Sequence, residues 1–225
     1  DSRFIAPLLE IFGSDREVVA IGFADSHPVA AAIVAPVGIG RWALFQPSQL
    51  PLGPLLLLPP LAIEAVAENL LRVLPGIDLA LGLTQLDPAT ISRPQSSQKF
   101  STLDYIQTAW VEIHGEFDDY WAARGKNLRQ NMKKQRNKLA SECVDLSFDV
   151  IRDTALVGEA IRQYGILESA SWKSGEGTAV SPGNDQGLFY KAMLERFCEV
   201  GRGVIYRYRF GEQVAAMDLC IESGD

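Results

Sequence analysis

Glu17 to Phe23 and Val29 to Val34 are two apolar, β-rich runs separated by Ala24-Asp25-Ser26-His27-Pro28. Apolar strands around a turn-prone stretch predict a β-hairpin. Trp42 to Phe45 adds a third short apolar run. Between Ala62 and Leu74, Ile63, Val66, Leu70, Leu71 and Leu74 recur at helical spacing, and Pro75-Gly76 ends the helix. Leu79 to Leu83 reads as a short buried strand. Ser92 to Ser101 reads as a loop, and Tyr105 to Ile113 alternates as a strand does.

The second half opens with a predicted long helix from about Phe117 to Glu142, then a strand from Leu146 to Ile151. Asp153-Thr154 offers an N-cap for a helix carrying Leu156, Ala160, Tyr164 and Leu167. A Gly- and Ser-rich loop from Lys173 to Gln186 precedes a helix from Gly187 to Val200, closed by Gly201. Val204 to Phe210 and Val214 to Ile221, around Gly211-Glu212, form a second predicted hairpin. Each hairpin's second strand begins Val-Ala-Ala, at Val29-Ala30-Ala31 and at Val214-Ala215-Ala216. Self-similarity at a fixed spacing predicts internal duplication. The expected fold is α/β (α+β), with one lobe over 1–115 and a second over 116–225. That second lobe is expected to stop before its last strands.

Composition narrows the classes. With 225 residues, 47% hydrophobic and 22% charged, the chain has the balance of a globular protein. No run of about twenty apolar residues is present, so no membrane span is expected. Leu55 to Ile63 is broken by Pro59 and Pro60, and Val18 to Val37 by Asp25, Ser26, His27 and Pro28. The cysteines Cys143, Cys198 and Cys220 are scattered, and only His27 and His114 accompany them. Such a set predicts reduced thiols, a cytoplasmic location and no metal site.

A net charge of −7 argues against a molecule built as a whole to grip polyanions. One segment departs from that average. Arg124, Lys126, Arg129, Lys133, Lys134, Arg136 and Lys138 follow one another with no acid between them. On a helix Trp121, Leu128, Met132 and Leu139 share a stripe, and Lys126, Arg129, Lys133 and Arg136 fall within roughly 80° on the adjoining face. The expectation is a helix anchored by its apolar stripe and presenting a cationic row. That row suits a pyrophosphate, a phosphorylated sugar, an acyl carrier or tRNA. The alternative is a solvated helix balancing an acidic remainder.

The stretch from Tyr120 to Leu139, Tyr-Trp-Ala-Ala-Arg-Gly-Lys-Asn-Leu-Arg-Gln-Asn-Met-Lys-Lys-Gln-Arg-Asn-Lys-Leu, resembles the basic helix of CelD-like GNAT proteins. Glu168-Ser169, Ser171-Trp172-Lys173, Phe189-Tyr190 and the hairpin from Ile205-Tyr206-Arg207-Tyr208 to Ala216-Met217-Asp218 are similar to the same group. So are Gln46-Pro47 to Gly53 and Gly82 to Pro88. The resemblance implies two GNAT-like lobes in one chain, as in Fem-type peptidyltransferases. It also implies transfer of an acetyl or other acyl group from acyl-CoA to an amine or hydroxyl, in exopolysaccharide or cellulose production. GNAT enzymes hold the CoA pyrophosphate on backbone N–H groups at a Gly-rich turn opening a helix. Gln49-Leu50-Pro51-Leu52-Gly53 has the wrong spacing, and Pro51 lacks one N–H. The first lobe is therefore expected to be degenerate, any CoA site to lie beyond Asp225, and the chain as it stands to be inactive.

Acyl transfer needs a proton acceptor and donors to the developing oxyanion. Glu168 is a candidate base if Trp172 desolvates it, or else a surface carboxylate at a helix end. Trp172 and Lys173, with Lys126, Arg129, Lys133 and Arg136, are candidate substrate-binding residues. Asp218, inside an apolar strand, is either a site residue or the partner of Arg207 or Arg209. Two other readings stay open. One is Fem-like aminoacyl transfer from tRNA. The other is a non-catalytic GNAT-fold partner of a polysaccharide synthase complex.

Overall fold

The computed structural model describes residues 1–77, 79–112, 114–170 and 180–222. The chain divides into two compact units, Leu8–Gln107 and, together, Asp1–Pro7 with Thr108–Asp225. Helix α1 (Ser2–Phe12) opens the chain and is absent from the sequence expectation. Its apolar residues run almost unbroken and Pro7 lies inside it, so no polar face marks it out.

The N-terminal unit is a twisted sheet with one packed helix. Strands β1 (Val18–Ala24), β2 (His27–Gly38) and β3 (Arg41–Leu44) are antiparallel neighbours, and β4 (Leu55–Leu57) also pairs with β2. Helix α2 (Ile63–Val73) crosses back so that β5 (Ala80–Gly82) lies parallel to β3. A parallel neighbour requires such a crossover. The core gathers Val34, Trp42, Leu44 and Leu55 from the sheet and Ile63, Leu70 and Leu74 from the helix side.

Two expectations fail here. Leu79 to Leu83 is not a buried strand, since Leu79 is 73% exposed and only Ala80–Gly82 pairs, at the sheet's margin. Residues 101–112 form no strand. Alternation alone does not make one without a neighbour to pair with, and Tyr105, Ile106 and Trp110 are exposed.

In the C-terminal unit the predicted long helix is two. Helix α3 (Phe117–Ala122) ends before Gly125, the N-cap residue of α4 (Lys126–Ser141). Glycine's weak helix propensity favours a break there. Next come β6 (Leu146–Ile151), α5 (Thr154–Ser169), α6 (Asp185–Cys198), β7 (Gly203–Phe210) and β8 (Gln213–Ile221). The three strands form an antiparallel sheet in the order β6-β7-β8. Asp153 caps α5, its Oδ1 accepting the Ala155 N–H at 2.9 Å. The inward face of α5 is Val157, Ala160, Ile161, Gly165 and Glu168, while Leu156 is half-exposed. Of the other residues named from the sequence, Ala160 lies on that face and Tyr164 and Leu167 are half-buried beside it.

The two hairpins share an unusual detail. In β1–β2 the register slips between Gly22 and Phe23, leaving Val29 unpaired. In β7–β8 it slips between Tyr208 and Arg209, leaving Ala215 unpaired. Gly22 pairs Ala30 and Tyr208 pairs Ala216, so equivalent positions are 186 residues apart (22 to 208, 30 to 216). Both turns take two residues and open with positive φ, at Asp25 (47°) and Gly211 (57°). The Val-Ala-Ala match, read directly, lies at 185 and is therefore one residue out of step. A one-residue slip in a strand exchanges its faces, so that match is a coincidence of common residues. The likeness lies in the backbone.

Candidate functional site

The C-terminal unit has an open pocket of about 520 Å³ lined by Tyr164 of α5, Tyr190 of α6, Tyr206 and Tyr208 of β7, and Asp218 and Cys220 of β8. Alternation along the strands explains the set. Tyr206, Tyr208, Asp218 and Cys220 project from one face, because Tyr206 pairs with Asp218 in register and residues two apart share a side. Met217 and Leu219 reach the same pocket, so its floor is the outer margin of β8, the last strand of the sheet.

Neighbouring rings fix the tyrosines. Phe148 stacks on Tyr206 with centroids 5.5 Å apart and lies 5.0 Å from Tyr208. Phe189, fully buried, meets Tyr190 edge-on at 5.3 Å and Phe4 at 5.4 Å.

Glu168 is buried beneath this pocket, not on the surface. Its Oε1 accepts the Tyr164 hydroxyl at 3.1 Å, and its Oε2 accepts the Val180 N–H at 2.8 Å. Tyr164 is influenced by both carboxylates, Glu168 through a hydrogen bond and Asp218 only at a distance. Burial, then the charge of Glu168 and its hydrogen bond, push its phenol up to about 12, with smaller contributions from Tyr190 and Asp218. Burial and the hydrogen-bonded Asp218 carboxylate raise Tyr208 as well. Burial and Asp218 raise the Cys220 thiol, which keeps it protonated and a poor nucleophile.

Asp218 does not pair with Arg207 or Arg209. Arg207 bonds Asp149 and Gln163, and Arg209 lies 3.7 Å from Glu212. Both arginines point to the sheet face opposite Asp218, which an Asp218–arginine pairing would have to cross.

The cationic row lies elsewhere. Lys126, Arg129, Lys133 and Arg136 are exposed on α4 and none lines the tyrosine pocket. Nor is the apolar stripe an anchor, because α4 has no buried residue, Leu128 is 48% exposed and Met132 41%. Trp172 and Lys173 lie outside the described residues. Sequence reasoning gave the tyrosines no site role, placing Tyr164 on a helix and Tyr206 and Tyr208 on a strand. The available signal was the joint spacing: Tyr164 one helical turn before Glu168, and Tyr206 and Tyr208 alternating on a strand.

The starts of α2, α5 and α6 do not resemble a pyrophosphate cradle. Helix α2 follows Pro59-Pro60 and has no side-chain cap. Asp153 caps α5, and α6 carries Asp185 in its first turn, so negative charge already occupies both dipole ends. Gly53 packs against the Thr84 carbonyl, not at a helix start. The Gln46-Pro47 and Gly82 to Pro88 motifs meet there, where Gln46 bonds Gln85 and the Gly53 N–H bonds the Gln85 carbonyl.

A family model described as an acetyltransferase (GNAT) domain matches residues 126–225, which include α4 and every element of the pocket. No curated protein and no solved structure matches the chain. A GNAT domain supports acyltransferase activity, and such domains typically use acyl-CoA. Among the described residues no group of His, Cys, Asp and Glu could hold a metal ion. No helix among them is long and apolar enough to cross a membrane.

Proposed function

We propose that the chain is a GNAT-type acyltransferase whose acceptor amine or hydroxyl occupies the tyrosine pocket of the C-terminal unit. One observation carries this reading. The residues matched by the acetyltransferase family line a pocket where Tyr164 donates to a buried carboxylate, Glu168, and Tyr208 hydrogen-bonds an exposed one, Asp218. Asp218 is the group placed to take the acceptor's proton. Glu168 orients Tyr164 from below, and the protonated phenol is a hydrogen-bond donor at neutral pH. The acyl donor is acetyl-CoA or another acyl-CoA.

The paired hairpins support a two-lobed reading, with a Fem-like division into 1–115 and 116–225. The positions equivalent to Tyr206, Tyr208, Asp218 and Cys220 are Ala20, Gly22, Ala32 and Val34. The first lobe keeps the hairpin and lacks the chemistry, as a degenerate copy would. The resemblance to the CelD-like branch favours a polysaccharide-precursor acceptor, and the scattered free thiols favour the cytoplasm.

The test is calorimetry of the full-length protein with acetyl-CoA, followed by thiol release in the presence of amine and hydroxyl acceptors. Binding below millimolar and a loss of about 10²-fold or more in kcat for Asp218→Asn are expected. No binding at millimolar acetyl-CoA overturns the reading. Retained capture of synthase components without turnover then supports the non-catalytic partner.

The exposed cationic row of α4 favours one second reading, aminoacyl transfer from tRNA. It predicts tRNA affinity that falls steeply with salt and drops when Lys133 and Arg136 are both changed to Gln.

A further inference from the structure

We propose that the tyrosine pocket selects a cation, an ammonium or methylated ammonium group, held against aromatic rings and the Asp218 carboxylate. The inference deepens the acceptor-pocket reading, and the binding it describes does not require turnover. Four tyrosines and one carboxylate line the pocket, and no Lys or Arg among the described residues joins them. Aromatic faces attract cations through the ring quadrupole, more strongly when partly desolvated. A single carboxylate adds the counter-charge.

The surroundings sharpen the selectivity. Arg207, the nearest strand cation in sequence, is tied to Asp149 and Gln163 on the opposite face. Lys191, beside Tyr190 in sequence, lies 3.8 Å from Glu195. Glu168 below Tyr164 adds a second negative charge behind the ring. An anionic acceptor would meet the Asp218 carboxylate, and no Lys or Arg among the described residues lines the pocket to offset it. The rings are also set in advance by Phe148 and Phe189, which lowers the cost of ordering them around a ligand. The equivalent face of the first hairpin, Ala20, Gly22, Ala32 and Val34, offers neither rings nor charge. The feature belongs to this hairpin's side chains, not to the shared backbone plan.

The experiment is calorimetric titration of the full chain with choline and with 3,3-dimethylbutanol, a neutral molecule of the same shape. Choline should bind with a Kd of order millimolar and at least about tenfold more tightly than the neutral probe. Asp218→Asn should weaken choline about tenfold, and Tyr206→Leu should weaken it further. Tyr208→Phe, which keeps the ring, should stay within about threefold. Circular dichroism verifies that each variant is folded. Equal affinity for the two probes, or no choline binding by the folded wild-type chain at 50-fold above the expected range (roughly 50 mM), overturns the proposal. Choline binding without acyl transfer leaves the cation site standing and removes the transferase reading. Acyl transfer to neutral acceptors without choline binding does the reverse.

Discussion

Arg207 bonds Asp149 on the adjacent strand, with Nε and Nη2 each 2.9 Å from the same carboxylate oxygen, and faces away from Asp218. Adjacent strand residues point to opposite sides of a sheet. Tyr206 and Tyr208 therefore share the Asp218 side, while Arg207 is held on the other. The pairing keeps a guanidinium out of the pocket and leaves Asp218 with Tyr208 as its hydrogen-bonding neighbour.

Asp149→Ala should lower stability by about 1–2 kcal/mol, since the Arg207 guanidinium is largely covered and would lose its charged partner. Asp149 itself is 37% exposed, which keeps the loss below that of a fully buried pair. Urea denaturation measures it. An unchanged midpoint would show that the pair contributes little, as many exposed pairs do.

Tyr164 makes a prediction at high pH. Its folded phenol sits at about 12 against about 10 for a free tyrosine. Between those values the folded state keeps a proton that the unfolded state releases. Stability from this group is fully present below pH 10 and is lost as pH rises through about 12. Tyr164→Phe should flatten that part of the stability–pH curve. Absorbance at 295 nm should show the same phenol missing from the ordinary tyrosine titration.

Strand and helix positions were largely legible because apolar periodicity and turn residues agreed at β2, α2, β6, β7 and β8. The site was not. Glu168 stays open between a candidate base and a helix-end surface carboxylate because nothing near it in sequence announces that Val180, twelve residues on, will bring an N–H to it. Asp218 stays open between a site residue and an arginine partner because two arginines lie on the adjoining strand, and only the register shows that they face the other way. The hairpin likeness was detectable for an unrelated reason. Its true offset follows from the bulge, which no residue pattern marks.

The basic helix tests the difference between an anchored and a solvated rod. If Leu128 and Met132 were packed, truncating each to Ala would cost about 2–5 kcal/mol. Both are nearly half-exposed in a helix with no buried residue. The expected loss is well under 1 kcal/mol apiece by thermal or urea denaturation. A loss above 2 kcal/mol would mean the stripe is covered in solution, and the cationic row would then be oriented by that contact.

Gly187 offers a test of how the pocket's two helices are held together. A Cβ there would lie 1.8 Å from the Ser181 carbonyl oxygen, and one at Gly165 would lie 2.9 Å from the Val180 oxygen. The 180–184 segment thus runs against backbone on both α5 and α6. Glu168 binds it through the Val180 N–H, and Asn184 Oδ1 accepts the N–H groups of Ser181 and Gly187. No side-chain rotation can relieve a clash with a carbonyl, so Gly187→Ala should force the first turn of α6 outward. A loss of about 1–3 kcal/mol is expected. Tyr190 lies one turn further along α6, so the same variant should weaken choline binding. A Gly187→Ala protein with wild-type stability and undiminished choline affinity would show that α6 does not depend on this close approach for its place beside Tyr164.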